Sequence, residues 1–201
     1  MAPVDLHPFA SEGRRINALM RQIRKLAPLR EYSWKEPADI LVKQEFLNGR
    51  TVSVLNITLT PSGCTWAKRG GCTMCGEFSG SLLGQPILPE FHIAQAVASL
   101  AKFVPRVKTP WVRLYNEGSW TNPGEIDPLA AELIIRTVSL IKGIERITIE
   151  TMAKEVTRDR LELLRAALIP PVELEIGIGL EAKDDIVRQI LVNKGETLKT
   201  I

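Results

Sequence analysis

The sequence predicts an α/β fold: parallel strands with crossover helices, curled into a partial TIM-like (β/α) barrel and preceded by a helical extension over residues 1–50. Three observations predict it. From residue 51 to 201, four strand-like runs alternate with four helix-like runs, as in successive βαβ units. The strands alternate polar and apolar residues instead of reading as the unbroken apolar runs of strands covered on both faces. Each strand leads into a distinctive cluster, at the end where barrels and open α/β sheets place their ligands.

In the extension, residues 11–30 read as a helix with Ser11 as its cap. Ile16, Leu19, Met20, Ile23 and Leu26 keep helical spacing and are expected to face inward. Arg14, Arg15, Arg21, Arg24 and Lys25 form the other face, either a solvated surface or one that attracts phosphate. Ala27-Pro28-Leu29 ends the helix. Residues 38–49 are expected to form a short helix leading to the turn Asn48-Gly49.

The first strand, Val52 to Leu59, runs into a cysteine loop, and a helix over 90–104 follows with Ile93, Val97, Leu100 and Val104 inward. Trp111 to Tyr115 is the second strand and Asp127 to Lys142 the second helix. Arg146 to Glu150 is the third strand, before a helix capped by Thr157 that buries Leu161, Leu164 and Leu168. Val172 to Ile178 is the fourth strand; a helix from Asp184 to Val192 should bury Ile186, Val187, Ile190 and Leu191. Asn56 and Thr58, Arg113 and Tyr115, Arg146, Thr148 and Glu150, and Glu173 and Glu175 each share one face of their strand. A tightly closed eight-stranded barrel fills its centre with branched apolar residues; this polar face fits a wider, incompletely closed one.

All three cysteines lie in one glycine-rich stretch, Gly63 to Gly76, with the spacing C-x7-C-x2-C at Cys64, Cys72 and Cys75. Thiolates are soft ligands that suit iron–sulfur clusters or zinc. Three thiolates on a four-iron cube leave one iron open to a second molecule, and glycines let backbone wrap closely around a cluster. Other readings compete. A zinc site would need a histidine, and only His7 and His92 exist. Cys72 and Cys75 could form a redox pair. A disulfide framework fits poorly with an odd cysteine count.

The composition, 45% hydrophobic and 24% charged over 201 residues, is that of a globular chain able to bury a core. No apolar run is long enough to span a bilayer, so no membrane role is expected. The start lacks the basic and apolar blocks of a secretion signal, and a cytoplasmic, reducing location is expected. A net charge of +3 is too mild to demand a nucleic-acid partner.

The later strand ends add candidates: Asn116-Glu117-Gly118-Ser119, Glu150-Thr151 and Gly177-Ile178-Gly179-Leu180-Glu181. Glu117 could accept an ammonium group, and Gly177 and Gly179 leave room for a flat ligand. Together with Gly63-Cys64-Thr65-Trp66, Arg69-Gly70-Gly71-Cys72-Thr73-Met74-Cys75-Gly76, Leu114-Tyr115 and Asn193-Lys194-Gly195-Glu196-Thr197, these blocks resemble the radical S-adenosylmethionine (SAM) superfamily. More narrowly, they resemble its archaeosine-biosynthesis family, near the elongator and methylthiotransferase types, over about residues 50–201.

The resemblance implies that Cys64, Cys72 and Cys75 ligate a [4Fe-4S] cluster whose open iron chelates SAM. Asn116, Glu117, Gly118 and Ser119 would hold the methionine amino end, and Glu150 and Glu181 would contact ribose or substrate. The implied substrate is a lysine-adducted deazaguanine in transfer RNA, cleaved to the amidine, and the implied partner an archaeosine synthase subunit. The other class of reading, a non-catalytic zinc-binding, iron–sulfur-binding or tRNA-binding module, remains open at this level.

This chain departs from the common pattern in three places. The first cysteine gap is x7, not x3; Met74 replaces the aromatic before the last cysteine; and Met152-Ala153-Lys154 stands where relatives carry Arg-Pro-Glu. The family barrel has six strand–helix units, and four are read here. The expectation is therefore that either the chain is C-terminally truncated or a partner completes the sheet; the 201-residue chain alone is expected to be poorly stable and weak or inactive as a catalyst.

Overall fold

A computed structural model describes residues 7–24, 26, 31–76 and 85–201. Its centre is one five-stranded sheet in the order β1-β2-β3-β4-β5, with β1 at Asp39–Leu47, β2 at Arg50–Thr58, β3 at Trp111–Tyr115, β4 at Arg146–Thr151 and β5 at Glu173–Ile178. Strands β2 to β5 pair parallel with one another. Among the described residues the sheet is open. The fold is thus mixed α/β with a mostly parallel sheet.

The exception to parallel pairing corrects the sequence reading. Residues 39–47 are not a helix but an edge strand, paired antiparallel with β2 from Asp39↔Thr58 to Leu47↔Arg50. The turn Asn48-Gly49 explains why. Both residues have positive φ, 48° and 81°, which a two-residue hairpin needs to match strand twist. Leu, Lys, Gln and Glu in this run suit a helix as well, and the hairpin partner overrides that preference.

Helices α2 (Pro89–Val107), α3 (Pro128–Ser139) and α4 (Arg158–Ala167) connect the parallel strands. Their starts are set by local chemistry. Asp127 accepts hydrogen bonds from the Leu129 and Ala130 amides, with Pro128 in the first turn. Thr157 accepts one from the Arg160 amide. The three helices share one side of the sheet. Leu55, Ile57, Val112, Leu114, Ile147 and Ile149 meet Leu100, Ile134, Ile135, Val138 and Leu164 there in one core. Each such side chain stabilises the fold by about 1.5–3 kcal/mol through burial.

The opposite face is polar, as its alternation predicts, and the charges in its two central rows are paired. Asn56, Arg113, Thr148 and Glu175 form one row across four strands, and Val54, Trp111, Arg146 and Glu173 the row below. Arg113 pairs with Glu45 at 3.1 Å; Arg146 pairs with Glu173 at 3.0 Å and Glu175 at 3.2 Å. Leu47, Val52, Val54 and Trp111 add a small apolar floor that the alternation did not reveal.

Helical expectations change in three places. Val97 of α2, expected inward, is exposed. The first helix, α1, covers Ala10–Arg24; Lys25 and residues 27–30 lie outside the described residues. Its expected inner face is largely exposed at Leu19, Ile23 and Leu26, whereas Arg24, expected on the outer face, is buried. The helix docks instead through Gly13, where an added Cβ would lie 3.2 Å from Ile190 Cγ2. The expected last helix is a short π-helical segment, Val187–Leu191. The wider turn rotates Arg188 inward, where it is fully buried, and leaves Val187 and Leu191 exposed. The buried guanidinium is satisfied by the Glu196 and Ala182 carbonyls and by Asp185.

Candidate functional site: a cysteine-lined cavity at the carboxyl ends of the strands

Past the ends of β2 to β5 lies a cavity of about 410 Å³. Its walls include Cys64, Cys72 and Cys75, the segment Asn116 to Ser119, and Glu150 and Glu181. Every residue expected to hold the cluster, SAM or substrate therefore borders one space; of the two glycines expected to make room for a flat ligand, Gly179 lines it and Gly177 does not. Thr58, Tyr115 and Glu150 supply the top of the polar strand faces, so the cavity continues the two rows of paired charges beneath it.

The cysteine loop is held from three sides. Arg24 of α1 donates to the Gly70 and Cys72 carbonyls. From the β3–α3 connection, the Glu125 carboxylate accepts from the Thr65 amide at 2.8 Å and the Thr65 hydroxyl at 2.6 Å. Beyond the π turn, the Asn193 side-chain amide donates to Gly71 O at 2.7 Å, the Trp66 indole donates to Asn193 O at 2.8 Å, and the Thr73 amide donates to Val192 O at 2.8 Å. Gly70 and Gly71 take φ of 121° and 67°, a region glycine enters without steric cost. At Gly71 a Cβ would also lie 3.1 Å from the Arg24 guanidinium.

Glu125 joins this loop to the next. Its second oxygen accepts from the Ser119 amide at 2.5 Å, and Asn122 Nδ2 donates to its first at 3.2 Å. The carboxylate is 4% exposed. Its negative charge falls where the neighbouring Cys64 thiol feels it.

Burial pushes the Cys64 thiol up, and the Glu125 charge adds to this. Burial also pushes the Cys72 thiol up, to about 11, against the pull of the Lys194 ammonium. Both are thus thiols at neutral pH in the metal-free chain, and a soft metal would displace their protons on binding. Burial raises Glu150 above the usual carboxylate range. Burial works against the Lys194 ammonium, yet its hydrogen bond to Glu181, at 3.0 Å, and that carboxylate's charge leave its pKa above the usual lysine value.

The donor set can be tested against the groups the sequence suggested. Among the described residues, no three His, Cys, Asp or Glu side chains converge as a single metal ion needs. His92 is buried elsewhere, its Nε2 2.9 Å from the Thr60 carbonyl, and it does not line the cavity. A cube of four irons binds each thiolate at a different corner, so it needs thiols spread around one space, as here. Asn116 is 3% exposed, and its Oδ1 has no hydrogen-bond partner among the described residues. A buried acceptor without a partner is costly, and a bound ammonium group would satisfy it. The residues fit both groups.

The sequence reading missed Arg24, Glu125 and Lys194 as parts of the site, and Tyr32, whose hydroxyl donates to Glu117 Oε1 at 2.9 Å. Lys194 lay in a quoted block, but nothing local marks a lysine that reaches Glu181 across a turn. For Glu125 the available signal was an acid shortly after the Asn116–Ser119 block. No helix among the described residues is long and apolar enough to cross a membrane.

Comparison with known proteins gives the following. The chain is 25% identical over 186 residues to a protein of Methanosarcina acetivorans named archaeosine synthase subunit beta, an overlap of 92% of this chain and 52% of that one. It is 26% identical over 164 residues to an uncharacterized protein of Methanocaldococcus jannaschii, covering 80% of this chain and 43% of the other. It is 31% identical over 86 residues to an archaeosine synthase subunit beta of Thermococcus kodakarensis, 43% of this chain and 26% of that one. The chain spans about half the length or less of these relatives. No family model and no solved structure matches.

Proposed function

We propose that this chain is the cluster- and cofactor-binding part of a radical SAM enzyme acting in archaeosine formation on transfer RNA. The observation that carries the reading is that Cys64, Cys72 and Cys75 line one cavity with Asn116, whose Oδ1 has no hydrogen-bond partner among the described residues. The names of the relatives support the pathway, and the word subunit in those names supports a protein partner. The sequential order of β2 to β5, with the helices on one side, supports a partial (β/α) barrel of four strand–helix units.

Cys64, Cys72 and Cys75 would hold a [4Fe-4S] cluster, with SAM seated beside it against the Asn116–Ser119 segment. When bound, the two groups would supply one-electron, radical chemistry at the substrate. The chain's own contribution is placement and exclusion of water. Asn116 Oδ1 and the Glu117 carboxylate offer acceptors to the ammonium group. Gly118 leaves room for the Glu125 carboxylate that holds this segment. Glu150, Glu181 and Lys194 set a polar wall for ribose or substrate. Arg24, Glu125 and Asn193 keep the cysteine loop in register with that wall.

A mononuclear zinc module is the weaker reading, because the described histidine lies outside the cavity and the thiols do not converge. Anaerobic reconstitution with iron and sulfide separates the two. The expected product is brown, holds about four irons per chain, and loses its colour in Cys72→Ala. A colourless protein carrying one zinc would overturn the proposal.

A further inference from the structure

A second cavity, about 390 Å³, shares the Trp66 wall with the first and is lined by Thr65, Trp66, Lys68, Arg69, Lys154 and Glu155. Three cations face one acid. The Lys154 ammonium lies 4.3 Å from the centre of the Trp66 ring, where the ring's negative face attracts it. The indole is itself tied to Asn193 O, so the cation stands on a fixed support. Arg69 ends the short 3-10 turn Ala67–Arg69, and neither it nor Lys154 forms an ion pair among the described residues. Outside the cavity lining, Arg21 of α1 lies 3.9 Å from where a Cβ on Gly70, next to Arg69, would sit. Lys68, Arg69 and Lys154 are all exposed.

A guanidinium and an ammonium around a concave surface whose lining holds one acid, Glu155, suit a phosphodiester, which takes a forked donor and a point charge together. We infer that this cavity seats a backbone phosphate of a folded RNA, beside the space where its reacting base would enter. The inference rests on the reading of a transfer RNA substrate, and it assigns the anchoring contact to the Trp66–Arg69 turn and Lys154. Phosphate contacts of this kind position a nucleic acid without reading its sequence.

The test is binding of an unmodified transfer RNA transcript to the full chain, followed by fluorescence anisotropy between about 50 and 200 mM salt. The double variant Arg69→Gln, Lys154→Gln is compared with wild type and with Arg106→Gln, Lys108→Gln, at the other end of α2. The cavity variant should bind about tenfold or more weakly at the lowest salt, and the steepness of its log–log salt dependence should fall by about 1–2. The control should bind as wild type does. Equal binding by the cavity variant, or an equal loss in the control, overturns the anchoring site and leaves the RNA substrate standing. If wild type binds no transfer RNA at any salt, both fall. Iron uptake, expected to be unchanged in the cavity variant, shows that its fold is intact.

Discussion

The Glu125 carboxylate fills the space that any side chain at Gly118 would need: a Cβ there would overlap Glu125 Oε2 and lie 3.1 Å from its Cδ. The bare backbone at 118 is what lets Ser119 reach the carboxylate, and the same carboxylate holds Thr65 beside Cys64. One buried group therefore couples the thiol loop to the segment proposed to hold the cofactor's amino end.

Gly118→Ala should break that coupling. Overpacking of this kind costs about 1–3 kcal/mol, so the melting temperature should fall and SAM affinity of the reconstituted protein should drop at least about tenfold. Calorimetry reads both. A variant that melts and binds like wild type would show that the space can open without consequence.

Glu125→Gln should act through charge as well as hydrogen bonding. An amide nitrogen would face one of the donors that the carboxylate now satisfies, at a cost of about 1–3 kcal/mol. Loss of the negative charge should also lower the Cys64 pKa, because that charge helps to raise it. Alkylation of Cys64 at pH 8, followed by mass spectrometry, should be faster than in wild type; a slower reaction would contradict the assignment.

Cys72 should titrate late in the metal-free protein. Its pKa is raised to about 11, chiefly by burial, and only the thiolate attacks iodoacetamide. Its alkylation rate should keep rising as pH increases from 8 towards 11, whereas an ordinary cysteine levels off above about 8.5. A plateau at pH 9 would show a thiol that is not buried as described.

Arg24→Met should loosen the loop from outside. The guanidinium donates to the Gly70 and Cys72 carbonyls, and leaving buried acceptors unsatisfied costs about 1–3 kcal/mol. Hydrogen exchange across residues 63–76 should quicken, and iron uptake should fall although no ligand has been removed. Unchanged exchange would mean that the other two anchors suffice.

Much of this architecture was legible because it is periodic or locally signalled. Strands β2 to β5 and the three connecting helices follow from alternation, spacing and the caps Asp127 and Thr157. The glycine-rich cysteine stretch marked a loop whose three cysteines line the cavity. What escaped was non-local. Asn48-Gly49 is the strongest short hairpin signal, yet β1 was read as a helix because its residues suit both states. The outward Leu19 and inward Arg24 depend on docking against Ile190, far along the chain. Glu125 and Lys194 are ordinary charged residues until their partners arrive.

The clasp between Trp66 and Asn193 spans 127 positions, which sets an order of events at the ribosome. The three thiols emerge while the residues that will hold Gly71 and Thr73 are still unmade, so a nascent loop meets metal or oxygen before it has its own lock. Assembly of the proposed centre would wait for the segment around Asn193, and an early encounter with the wrong metal would be the hazard of that wait.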